Sequence, residues 1–303
     1  MATPIPPAIR QPLDRTAVSV MVVLCTIWAS QTIMIKLASP DMGNVAQVGI
    51  RSVGATLLLW CYALWSGDRL WQKDGSLRPG LLAGFLFAME FVCVTFGLML
   101  TSATHVAVFL YTAPLFSALG LHFLVPGEQL SRRQWVGMGL AFAGLALAMS
   151  DGFLAQQGID WRMFAGDLIG LAGGAFWGVT TVAIRASALS EVSPVKTLMY
   201  ELGFTGVLLT PMAWLLGEFD SFHFTLTSSL SLAYQTTILC SASYLGWLIL
   251  LRRYLATRLA VFSFLTPIIA AVFGWLILGD AISHSFIGGG VLVMLGIMVV
   301  NRR

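Results

Sequence analysis

Long apolar runs separated by short polar breaks set the pattern of this chain. Ten runs are of membrane-spanning length, near 16–37, 44–65, 79–99, 104–124, 134–150, 166–187, 194–216, 229–251, 257–278 and 285–300. A helix rises 1.5 Å per residue, so ~20 apolar residues cover the ~30 Å of hydrocarbon in a bilayer. No break exceeds about fifteen residues, which leaves no room for a separate soluble domain. Backbone amides in hydrocarbon must be satisfied within their own helix. The pattern therefore predicts an all-α integral membrane protein of ten transmembrane helices.

Composition strengthens the reading. Apolar residues make up 57% of the chain and charged residues 10%, against roughly 45–50% and 25% in soluble proteins. There are too few charges to coat a soluble core. The net charge of +3 is too small and too dispersed for a nucleic-acid partner. Its distribution is informative. With the N-terminus in the cytoplasm, one side collects Arg10, Arg15, Arg69, Lys73, Arg78, Arg132, Arg133, Arg185, Lys196, Arg252, Arg253, Arg258, Arg302 and Arg303. Only Lys36 and Arg162 fall on the other side, and Arg51 lies within a span. The positive-inside rule then predicts that both termini are cytoplasmic, in a bacterial inner membrane. Residues 1–15, polar and Pro-rich, read as a cytoplasmic tail ahead of an uncleaved first helix.

The spans repeat. Trp28 and Lys36 are eight residues apart in the first, and Trp177 and Arg185 are eight apart in the sixth. THVAVFLYTAP, ending at Pro114, matches TRLAVFSFLTP, ending at Pro267. A turn follows each, VPGEQLS at 125–131 and ILGDAIS at 277–283, and then a glycine-rich helix. Residues 16–151 and 152–303 are thus two five-helix repeats. Five is odd, so with both termini on one side the halves are inverted, an architecture common among secondary transporters. In gapless register Glu201 falls opposite Arg51, and Ser243 opposite Glu90. The halves share a pattern but not their charges.

These features resemble the drug/metabolite transporter superfamily: the early Trp of each half, Arg51, and the A-V-F-x-x-x-x-P stretch followed by G-[ED]-x-[LI]-S. Within it the chain is similar to the EamA-type exporters, aromatic amino-acid exporters among them, from Thr16 to Val300. The resemblance implies a helical basket around a central cavity lined by spans one, three, four, six, eight and nine, with five and ten to the side. It implies export of amino acids, aromatic ones favoured, and of related small metabolites. Broad-substrate drug/metabolite or nucleotide-precursor transport on the same fold is the alternative.

Charges at membrane depth are functional candidates by default. Glu90, in the middle of the third span, is expected to contact a substrate ammonium or to carry a proton. Arg51 and Glu201 lie about two turns inside opposite ends of their spans and are expected to be structural charges. Lys36 and Arg185, at span ends, are expected either to snorkel to the headgroups or to gate the two mouths. Pro114 and Pro267 each remove a backbone hydrogen bond and should kink their helices, providing flex for alternating access. Trp28, Tyr111 and Trp177 are the aromatic groups expected to stack with substrate. Ser243, with Ser30, Thr32, Thr112, Thr180 and Thr181 nearby, offers hydrogen bonds.

Other classes fit less well. An intramembrane enzyme needs a clustered Ser/His, paired acids or a metal-ligand set at depth. The four histidines lie at or near span ends, and no Cys/His spacing suggests a metal. The glycine runs lack the preceding strand of a phosphate loop, so no ATPase and no cofactor are expected. A channel would need a continuous polar path, which long apolar runs oppose. The expected partners are a small-molecule substrate and the lipid bilayer, and one chain holding both halves suffices as a monomer.

Overall fold

The computed structural model describes residues 11–68, 70–150, 161–220, 222–278 and 283–302. The N-terminal ten residues, the boundary expected at 151/152, most of the 277–283 turn and the side chain of Thr32 lie outside that description. Among the described residues the regular structure is helical: α1 (Arg15–Ala38), α2 (Asn44–Ser66), α3 (Leu77–Leu100), α4 (Ala103–Leu110), α5 (Ala113–Leu124), α6 (Arg132–Ala148), α7 (Trp161–Arg185), α8 (Pro194–Leu215), α9 (Leu226–Tyr234), α10 (Tyr244–Arg253), α11 (Ala256–Ala260), α12 (Leu265–Phe273) and α13 (His284–Asn301). Nine continuous helical segments among them are long and apolar enough to cross a membrane. The 17-residue α6 falls just short of that length.

Local chemistry sets the ends. Asp14 accepts from the Ala17 amide at 2.7 Å and starts α1. Ser131 and Gln134 form a reciprocal capping box at α6. Gly67, at φ 74°, closes α2 in the left-handed region where a Cβ is penalised.

Regular α-helix is interrupted close to Pro114 and to Pro267. The fourth span breaks at Tyr111–Thr112, and Pro114 sits in the first turn of α5, where its missing N–H costs nothing. The Phe109 carbonyl freed by the break accepts from the Thr112 amide at 3.1 Å and from the Thr112 hydroxyl. In the ninth span Pro267 lies near the start of α12, after a 3₁₀ segment Val261–Phe264. Two π-helical segments, Gln235–Ser243 and Gly274–Leu278, were not foreseen.

Close packing explains the glycine-rich helices. α6 and α13 run against one another, and a Cβ on Gly289 would stand 2.4 Å from the Ala148 amide nitrogen. Backbones meet this closely only where side chains are absent, which is how helices associate without a hydrophobic drive. Gly174 does the same for α7: its missing Cβ would be 2.5 Å from the Thr112 hydroxyl, at the break between α4 and α5. Long-range packing pairs early helices with late ones. α1 lies against α12, α9 and the 235–243 segment, while α7 lies against α3, α4 and α5. α2 and α8 form a further pair, with α3 on the flank of α8.

Candidate functional site

The aromatic residues singled out in the sequence pack in two edge-to-face pairs, Trp28 with Trp247 and Tyr111 with Trp177. Trp28 donates its indole N–H to the Ser243 hydroxyl at 3.0 Å, joining α1 to the end of the 235–243 segment. Its ring meets Trp247 edge to face, 5.8 Å between centroids. Tyr111, at the α4–α5 break, meets Trp177 of α7 at 5.5 Å and 73°. Phe87 of α3 bridges Tyr244 and Phe91 at 5.8 and 5.2 Å. Such edge-to-face contacts hold the rings while leaving faces for a planar ligand. The expected hydroxyls are engaged: Thr180 and Thr181 donate to carbonyls of their own helix, Thr112 to the Phe109 carbonyl at the end of α4, and Ser30 contacts the Ile27 carbonyl and the Tyr234 hydroxyl.

Three charges thread this region. Glu90 is 8% exposed in α3, Glu201 is buried in α8, and Arg51 of α2 is 0% exposed. Among the described residues no ion pair within 4.0 Å joins them, and Glu90 Oε2 has no hydrogen-bond partner. The guanidinium of Arg51 lies over the Phe91 ring, 5.3 Å from its centroid. It donates from Nη1 to Gln235 Oε1 at 2.9 Å. Its Nε and Nη2 have no partner.

Two glutamines organise this corner. Gln235 Nε2 donates to Gln47 Oε1 at 2.9 Å and to Ser231 Oγ at 3.1 Å. Gln47 in turn donates to the Met42 carbonyl at 3.0 Å, and Ser231 to the Met34 carbonyl at 2.6 Å. The network runs from the end of α1 to Arg51 through residues on three helices. Sequence reasoning missed it, because an uncharged amide within an apolar run carries little signal alone.

The span-end cations differ from one another. Lys36 is exposed, as an anchoring residue would be. Arg185 is not: it is 4% exposed, which corrects the snorkelling alternative. Its Nε and Nη2 donate to Glu128 Oε1, and it donates also to the Leu251 and Tyr254 carbonyls. Glu128 further accepts from the amides of Ala256 and Thr257 at 3.0 and 3.2 Å and from the Thr257 hydroxyl at 3.0 Å. An arginine so provided with carboxylate and carbonyls has no reason to reach for the headgroups. The residues before α1 join the same knot: Gln11 forms a parallel bridge with Tyr254, and Tyr254 donates to Asp14 at 2.9 Å. The Ala17 amide and this hydroxyl hold the Asp14 carboxyl below the usual carboxylate range, while Asp14 raises the Tyr254 phenol. Glu128 appeared in the sequence only as a letter of the repeated turn; its match to Asp280 was the available signal.

Among the described residues no group of three or more His, Cys, Asp or Glu side chains is placed to hold a metal. A family model described as the EamA-like transporter family matches residues 15–150 and, a second time, residues 164–302. The chain belongs to the EamA-like transporter family. This EamA-like chain is 26% identical to an uncharacterized transporter of Archaeoglobus fulgidus, over 91% of this chain and 94% of that one. It is 24% identical to the uncharacterized inner membrane transporter YedA of Escherichia coli, over 91% and 88%. It is 27% identical to a probable amino-acid metabolite efflux pump of Salmonella typhimurium, over 74% and 75%. A solved crystal structure superposes with a TM-score of 0.78 at 17% identity, covering 95% of this chain and 96% of the other, a likeness of fold. The EamA-like protein is a multi-pass membrane transporter.

Proposed function

We propose that this transporter exports amino acids, aromatic ones favoured, by alternating access. One observation carries the reading: an unpartnered carboxylate oxygen of Glu90 lies buried in α3, a helix whose Phe87 packs edge to face on Phe91 and on Tyr244 of α10. A buried acid is costly unless something compensates it. A substrate ammonium does so, and the rings of Trp28, Tyr111 and Trp177 supply faces for an aromatic side chain. Ser243, held by Trp28, provides a polar contact from the second half. The name of the Salmonella relative, a probable amino-acid metabolite efflux pump, agrees with this substrate class.

Alternating access is carried by ten helices in two inverted halves, 16–151 and 152–303, with both termini cytoplasmic. The doubled family match and the interruptions at Pro114 and Pro267 support this architecture, and so does the crowding of basic residues onto one side. The interrupted spans flex, and the Arg185–Glu128 knot and Lys36 lie at opposite mouths. One chain supplies a complete site. The test is uptake of labelled L-phenylalanine and L-tryptophan into liposomes holding the purified protein. Uptake above empty vesicles, with mutual competition, is expected; flux equal to that of empty vesicles would remove the proposal.

A further inference from the structure

We infer that Arg51 is a carboxylate-binding residue whose orientation is set by Gln235. The assignment deepens the proposed amino-acid site and rests on it only for the role of Glu90 as ammonium partner.

A guanidinium carries five N–H donors in a rigid plane. That of Arg51 is fully buried and uses one, from Nη1 to Gln235. Nε and Nη2, left unpartnered, are the two nitrogens of one edge, and that edge has the spacing of a carboxylate's two oxygens. Phe91 lies against the same guanidinium, 5.3 Å from ring centroid to Cζ, and the free edge is where its two unused donors can be met together. The nearby acids do not take it: neither Glu90 nor Glu201 lies within 4.0 Å as an ion pair. An orphaned, buried charged donor is costly, and a ligand anion removes that cost.

Gln235 explains why this edge is the free one. Its amide N–H₂ is engaged twice, by Gln47 and by Ser231, and both of these are fixed on carbonyls following or ending α1. Oε1 is therefore turned to Arg51 and holds Nη1. Gln235 is the first residue of the π-helical segment, where the changed register presents side chains that a regular helix would aim elsewhere. It touches Arg51 rather than substrate, and so is a positioning residue. With Glu90 acting as the second anchor, the site accepts a zwitterion whose carboxylate lies toward α2.

The test is a titration of the full-length protein in liposomes, read by tryptophan fluorescence, with two pairs of probes. One pair is L-phenylalanine and L-phenylalaninamide; the other is 3-phenylpropionate and its amide. In each pair the carboxylate is expected to bind about ten- to a hundred-fold more tightly, the range of one charge-assisted bidentate contact. Arg51→Gln should bring both ratios close to one. Gln235→Leu should lower them partway, with binding of the amides little changed, a split that general loss of structure would not produce. Equal binding of acid and amide by the unsubstituted protein overturns the inference without needing any variant, as does a ratio that survives Arg51→Gln. A preference kept for phenylpropionate but absent for phenylalanine supports the carboxylate site and instead removes the amino-acid reading.

Discussion

Replacing Glu128 with alanine withdraws one carboxylate from five donors: two nitrogens of Arg185, the amides of Ala256 and Thr257, and the Thr257 hydroxyl. Breaking a buried pair from one side leaves an uncompensated charge and costs about 3–5 kcal/mol. Arg185→Met removes the opposite charge, but Glu128 keeps its three other donors. Its cost should be nearer the ~1.5–3 kcal/mol of hydrogen bonds to a charged group. The double variant carries neither charge, so it should be more stable than the two single costs predict. A coupling of roughly 1–3 kcal/mol is expected for residues that share a network. Equilibrium unfolding in mixed micelles, followed by circular dichroism, measures all four corners of the cycle. Single costs that add to within about 0.5 kcal/mol, or a Glu128→Ala cost below about 1 kcal/mol, would refute the view that this buried network ties the turn at Glu128 to the end of α7 and the start of α11.

Glu90→Gln tests coupling: if Glu90 carries a proton, the pH dependence of phenylalanine flux flattens, and a dependence left unchanged removes that role. Trp28→Phe keeps the ring but deletes the N–H bonded to Ser243; a loss of about 0.5–1.5 kcal/mol in stability is expected, with weaker substrate binding, both readable from melting with and without ligand. Gly174→Leu drives a side chain into the Thr112 hydroxyl and the Phe109 carbonyl, and should abolish transport and folded yield, whereas the same change at Gly139, where nothing lies within 4 Å, should be tolerated. The Lys196 ammonium, 2.8 Å away, lowers the Asp74 carboxyl. A depressed carboxyl stabilises above its unfolded value of about 3.9 and loses that contribution as pH falls through its folded value. The stability difference between the natural protein and Asp74→Asn should therefore stay constant from pH 5 to 8 and shrink only at more acidic pH.

The spans were legible because membrane burial imposes one criterion, apolarity over a fixed length, that each segment meets alone. Thus α2, expected over 44–65, runs 44–66, and α8, expected over 194–216, runs 194–215. The helix interruptions near Pro114 and Pro267 fall where a residue lacking its N–H stands, a property of the residue itself. The π-helical segment at 235–243 announced nothing: Gln235 and Ser243 acquire meaning through Gln47, Arg51 and Trp28, nearly two hundred residues or more away in sequence. Arg51 was visible as a buried charge, but which of its nitrogens would stay free depended on those distant amides. Arg185 stayed open between two roles for the same reason, since its partner Glu128 sits in a turn whose pattern reads as punctuation.

The reciprocal packing of α1 and α7 has a consequence for how the protein is made. The principal neighbours of α1 are α12, α9 and the 235–243 segment, which leave the ribosome some two hundred residues later. The first helix therefore waits in the bilayer with its packing face open to lipid, or to an insertion factor, through most of synthesis. The first half is not a finished subunit to which a second is added. Expressed as separate polypeptides, the halves should each be unstable and become protected from proteolysis only when made together.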